Sequence, residues 1–132
     1  MKTFPLRIGT PDGLLFSGDV VRVVCRTITG DRAILADHID FCTGIGMGEA
    51  RVVLEDGTVR KAACIGGMLT MVDGMCRLLA TTWEWSDEID SERAEKAKQA
   101  AEATLNQEGL SDHEYNVAKA KLQRALVRLS VK

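Results

Sequence analysis

Five charged residues in the later part of the chain have types and spacings that could hold an anion. Arg124 and Arg128 stand four apart, Asp90 and Arg93 three apart, and Glu84 lies six residues before Asp90. On a helix, positions i and i+4 share a face. Two guanidinium forks placed that way can meet one phosphate chain, because their planar donors match phosphate oxygens bidentately. Arg93 would join them from a facing helix. The carboxylates of Glu84 and Asp90 cannot sit favourably against phosphate, so their partners would be an amino group, hydroxyls or Arg93 itself. A plainer reading exists. Asp90 and Arg93 make an ordinary helix ion pair worth a few tenths of a kcal/mol, and Arg124 and Arg128 form a solvated basic face. On the residues alone the plainer reading is the better one.

Other reactive side chains carry less. His38 has no serine, cysteine or carboxylate at a catalytic spacing, so no catalytic residue is expected. Cys25, Cys42, Cys64 and Cys76 include no Cys-x-x-Cys pair, and the only histidines are His38 and His113. That pattern predicts free thiols and no metal site. Gly44, Gly46 and Gly48 lack the Lys-Ser/Thr and following helix of a phosphate loop and read as turns.

At 132 residues the chain has room for one modest core. Seventeen basic residues among nineteen acidic ones leave a net charge of -2, which gives no electrostatic case for nucleic acid. No apolar run approaches the roughly 18 residues that span a bilayer, and the N-terminal stretch lacks a signal-peptide core. A soluble, cytoplasmic chain is expected.

Two periodicities divide the sequence. Up to about Thr82, dense glycine punctuation separates short runs rich in Val, Ile, Leu and Thr, the pattern of a small sandwich or barrel. Asp56-Gly57 and Asp73-Gly74 each predict a tight hairpin turn. After Ser86 there is one glycine, no proline, and frequent alanine. A helix is predicted over roughly 87–107, capped by Ser86 or Asp87 and stopped at Gly109. Ser111-Asp-His-Glu114 is a capping box that starts a second helix to about Leu129. Its apolar stripe runs through Tyr115, Ala118, Leu122, Ala125, Leu126 and Leu129. The short connection predicts an antiparallel helix hairpin, and the alanine-rich first helix predicts weak docking. Of the two tryptophans, Trp83 and Trp85, one is expected beneath the helices and the other at a partner surface. The fold class is mainly β plus α: an antiparallel β-sandwich over 1–85, then a two-helix hairpin over 86–132.

Nearly the whole chain resembles the epsilon subunit of F-type (rotary) ATP synthases. The resemblance rests on "GLLFSGDVVRVVCRT", "GDRAILADHIDFCTGIGMGEARVV", "CIGGMLTMVDGMCRLLATT" and "KLQRALVRLSV". Gly30, Ile34, Leu35, His38 and Thr43 match the family, while Ala33 and Ala36 replace a glycine and a proline. Ile89-Asp90-Ser91-Glu92-Arg93-Ala94 matches the Ile/Leu-Asp-x-x-Arg-Ala motif of ATP-binding members.

The resemblance implies a non-catalytic stalk subunit that couples ion flow to ATP synthesis and inhibits hydrolysis through its helices. It implies no required cofactor, with ATP as a regulatory ligand held by Glu84, Ile89, Asp90, Arg93, Ala94, Arg124 and Arg128. A further family arginine is replaced by Ala100. The implied partners are the gamma subunit and the c-ring, with Gly30, Asp31 and His38 at that interface, and the alpha and beta subunits when the helices extend. The location implied is the cytoplasmic side of the cell membrane, peripheral and reached only through the complex. Two alternatives are a purely structural coupling subunit without nucleotide and a free-standing small-molecule binding module.

Overall fold

The computed structural model describes residues 2–132. Six strands, β1 (Phe4–Thr10), β2 (Gly13–Thr27), β3 (Gly30–Leu35), β4 (Phe41–Leu54), β5 (Val59–Val72) and β6 (Met75–Trp85), precede a 3-10 turn at Ser86–Glu88. Helices α1 (Ser91–Leu105) and α2 (Asp112–Val131) follow. The expected β-sandwich and helix hairpin are therefore the architecture. The strand order is β1-β6-β5-β4-β2-β3, and β1 also pairs with β2, which closes the sheet on itself. Long β2 makes this possible: Gly13–Val20 pairs with β1, and its later residues pair with β3 and β4. The pairings are antiparallel except β1 with β6, which is parallel.

The core follows from strand periodicity. Phe4, Leu6 and Ile8 alternate inward on β1, and Cys76, Leu78 and Ala80 do so on β6. Beyond Ala80 the inward phase shifts to Trp83 and Trp85, although the β5–β6 register is the same on both sides of Gly66 and Thr81, with Ile65 beside Thr82 and Gly67 beside Ala80. The same change moves the inward set of β5 from Ala62 and Cys64 to Leu69 and Met71. Two successive glycines at positive φ, Gly66 and Gly67, break the alternation there without adding a residue to either strand. Gly67 sits there at φ +124, where a Cβ would lie 2.0 Å from the Leu79 carbonyl oxygen.

Several expectations need correcting. Trp83 and Trp85 do not part: both are buried, with ring centroids 5.1 Å apart and edge to face. Residues two apart on a strand point the same way. Gly44, Gly46 and Gly48 are not turns but lie inside β4, where Gly48 makes room for Arg26. Asp73-Gly74 forms the expected two-residue turn, both residues at positive φ, whereas Asp56-Gly57 lies in a four-residue loop between β4 and β5.

The first helix starts later than predicted. Ser86 and Asp87 belong to the 3-10 turn, and Asp90 caps α1 by accepting a hydrogen bond from the Arg93 amide at 3.1 Å. The second start is as expected, with Ser111 Oγ accepting from the Glu114 amide at 3.1 Å and the Ser111 amide donating to Glu114 at 3.4 Å. Tyr115 and Leu126, however, remain exposed, and the residues α2 buries are Ala118, Ala125 and Val131. Helix α1 packs on α2, while α2 lies against β4 and β5. Its end docks through a small cluster of Ala63, Ile89, Val127 and Val131.

Candidate functional site

Strand parity decides where the site begins. Trp83 and Trp85 face the core, so Glu84 between them faces outward, paired across the ladder with Ala63 under α2. There Arg128 Nε donates to Glu84 Oε1 at 2.5 Å, with about a third or less of each side chain exposed. The pair joins the last strand of the sandwich to the last turn of the hairpin. Charge-assisted bonds of this length are strong, and partial burial weakens competition from water.

Arg128 also lines a cavity of about 600 Å³ between α1 and α2. The α1 wall is Ala97, Ala100, Ala101 and Thr104; the α2 wall includes His113, Val117, Lys121 and Arg124. Small side chains on α1 leave the volume open, and α2 supplies the charge. Arg124 Nε donates to the Ala120 carbonyl at 3.3 Å, which fixes the guanidinium along the helix and leaves its terminal nitrogens available to a ligand. Such a cavity, mostly apolar with a few convergent cations, can take a ligand with a flat apolar part and an anionic tail.

Of the residues expected at an ATP site, the structure brings Arg124 and Arg128 together on this cavity and ties Glu84 to Arg128. The other four do not line it. Ile89 and Ala94 are buried in packing, Asp90 caps α1 through the Arg93 amide, and the Arg93 side chain is exposed. Lys121 and His113 line the cavity without having been singled out in the sequence. Lys121 lay three residues before Arg124, a helical spacing that could have flagged it.

The expected interface residues are spread out. Gly30 opens β3 at φ +114, and Asp31 accepts from Arg26 Nε at 2.7 Å. His38, beyond the other end of β3, donates from Nδ1 to the Ile39 carbonyl at 2.8 Å and stacks near Phe41, with centroids 4.8 Å apart. A six-residue strand separates the two groups by roughly 20 Å, so they cannot meet one small contact. Among the described residues no group of acidic residues, histidines and cysteines could hold a metal ion.

The residues around this site fall within two family models. Residues 3–86 match the ATP synthase delta/epsilon chain beta-sandwich domain, and residues 87–132 match the delta/epsilon chain long alpha-helix domain. The chain belongs to the ATP synthase delta/epsilon family. An ATP synthase epsilon chain of Caldanaerobacter subterraneus subsp. tengcongensis is 38% identical over 130 residues, covering 98% of this chain and 94% of that one. A sodium-ion-specific ATP synthase epsilon chain of Acetobacterium woodii is 36% identical over 100 residues, covering 76% and 75% respectively.

A chain of the Euglena gracilis mitochondrial ATP synthase superposes with a TM-score of 0.85 at 22% identity, covering 97% of this chain and 79% of that one. A chain from the Tetrahymena thermophila mitochondrial central stalk and c-ring gives a TM-score of 0.68 at 13% identity, covering 98% and 96%. At those identities the likeness speaks for the fold. Membership of the delta/epsilon family makes this an epsilon-type subunit of the ATP synthase and not a catalytic chain. Among the described residues no helix is long and apolar enough to cross a membrane.

Proposed function

We propose that this epsilon-type subunit is part of the rotor and couples ion flow to ATP synthesis, its sandwich contacting the gamma subunit and c-ring through the regions of Gly30, Asp31 and His38. It sits peripherally on the cytoplasmic side of the membrane, held there by the complex. The helix hairpin restrains ATP hydrolysis, and ATP is its regulatory ligand. Nucleotide in the α1–α2 cavity favours the folded hairpin. Without it, the helices extend along gamma toward the alpha and beta subunits. ATP shifts that balance only as far as its affinities for the two forms differ.

The observation that supports this reading is the cavity at the helix seam with Arg124 and Arg128 on one wall. Calorimetric titration of the purified chain with ATP, beside Arg93→Ala and Arg124→Ala, is the test. Saturable binding weakened in Arg124→Ala supports the nucleotide reading, and absence of any saturable heat removes it.

A second reading, a coupling subunit without nucleotide, is favoured by one fact. Ile89, Asp90 and Ala94 each have a structural task already, in packing or capping. Under it the chain co-purifies with gamma yet gives a flat ATP titration.

A further inference from the structure

Lys121, Arg124 and Arg128 follow one another at steps of three and four, so they stand on one face of α2, and all three line the same cavity. With a rise of about 1.5 Å per residue they span roughly 10 Å along the helix, comparable to an extended chain of condensed phosphates. The opposite wall offers Ala97, Ala100, Ala101 and Thr104, none able to neutralise a cation. Among the described residues, Glu114, seven before Lys121, is the one carboxylate lining the cavity. A chain with net charge -2 thus gathers three cations on one concave surface. Among the described residues Arg128 is paired with Glu84, while Lys121 and Arg124 are in no ion pair.

An unpaired lysine beside an unpaired arginine, at the wall of an open cavity, is electrostatically unfavourable unless solvent or an anion answers both. We infer that Lys121 is a third phosphate-binding residue of this cavity, gripping the part of a polyphosphate tail farthest from Arg128. This inference rests on the anion-binding reading of the hairpin proposed above. Since Arg128 already satisfies Glu84, Lys121 and Arg124 carry most of the grip. A ligand with a longer phosphate chain reaches both Lys121 and Arg128, so Lys121 discriminates triphosphate from diphosphate. The shared chemistry is a condensed phosphate, with or without a nucleoside attached.

The full chain and its Lys121→Gln, Lys121→Arg, Arg124→Gln and Lys119→Gln variants are titrated with ATP, ADP and inorganic tripolyphosphate, with circular dichroism confirming equal helix content. Lys119 is exposed on α2 and off the cavity. The expected result is that Lys121→Gln weakens ATP and tripolyphosphate about tenfold and ADP much less. Lys121→Arg should largely restore the preference, and Lys119→Gln should leave it unchanged. ATP binding in Lys121→Gln equal to that of the unaltered chain, with Arg124→Gln weakened, overturns the role of Lys121 and leaves the nucleotide reading standing. Tripolyphosphate binding that depends on Lys121, with no preference for ATP over it, keeps the phosphate site and removes nucleotide specificity. If the unaltered chain binds neither ATP nor tripolyphosphate, both ideas fall.

Discussion

Arg128 and Glu84, 44 residues apart in sequence, form the ion pair that fastens the end of α2 to the last strand of the sandwich. Partial exposure limits its contribution to about 0.5–1 kcal/mol. In a double-mutant cycle with Glu84→Gln and Arg128→Gln, urea denaturation should give a coupling energy of that size. Hydrogen exchange should speed up in the last turns of α2 more than in β1 or β4. Equal exchange changes throughout the chain would show that the pair is not a local fastener.

The docking contact under that pair is small, so it should respond to loss of even two methyl groups. Val131→Ala removes apolar area packed on Ala63 and Ile89 and should cost about 1.5 kcal/mol of docking. Proteolysis near Ser86–Asp90 is the readout. Cleavage there should rise severalfold while the sandwich stays resistant, and an unchanged cleavage rate would contradict the docking contact.

Three of the four thiols are withdrawn from solvent. Burial pushes the Cys25 thiol up to about 11 and the Cys64 and Cys76 thiols up to about 12, while Cys42 is exposed. At pH 8 an aromatic disulfide reagent should therefore label one thiol in the folded chain and four after unfolding. The raised folded values also set an alkaline limit. Unfolded cysteines ionise near 9.0, so the stabilisation is whole below that value and declines as pH rises toward 11 to 12. A stability profile that stays level from pH 9 to 11 would contradict this.

Gly67 has no room for a side chain. A Cβ there would overlap the Leu79 carbonyl and meet the Ala80 Cα at 2.8 Å, while Gly57 at φ +88 has open space. Gly67→Ala should destabilise by about 3 kcal/mol or fail to fold, and Gly57→Ala should cost about 1 kcal/mol from its backbone conformation alone. Thermal melts of the two variants, expressed in parallel, should differ in that order.

Much of this was legible locally and less so where elements meet. The capping box at Ser111 and Glu114 and the turn at Asp73-Gly74 need only a few neighbouring residues, and each stands where the sequence placed it. The passage from strands to helices was likewise visible as a change of period. The start of α1 was misplaced because Ser86, Asp87 and Asp90 are all competent caps, and the choice among them depends on Ile89 being drawn into the cluster with Val131. That both tryptophans share one face follows from their parity alone. Which way that shared face points depends on the change of phase at Gly66 and Gly67 of β5, which β6 follows beside them. For the candidate site, Arg124 and Arg128 could be paired from spacing, but Lys121 gained its meaning only when α1 was seen to set alanines opposite it.

The parallel pairing of β1 with β6 places Leu6 beside Cys76 and Ile8 beside Leu78, joining residues about 70 positions apart. Loop-closure entropy opposes such a contact until the intervening ladders of β2, β4 and β5 shorten the effective distance. The first strand must therefore wait for the last before the sandwich closes, and the helices are added to a body whose seam is its latest-formed part. A chain cut after Val72 should populate an expanded state with β1 held on one side only, and in the whole chain exchange protection at Leu6 and Ile8 should appear later in refolding than protection in the β4–β5 hairpin.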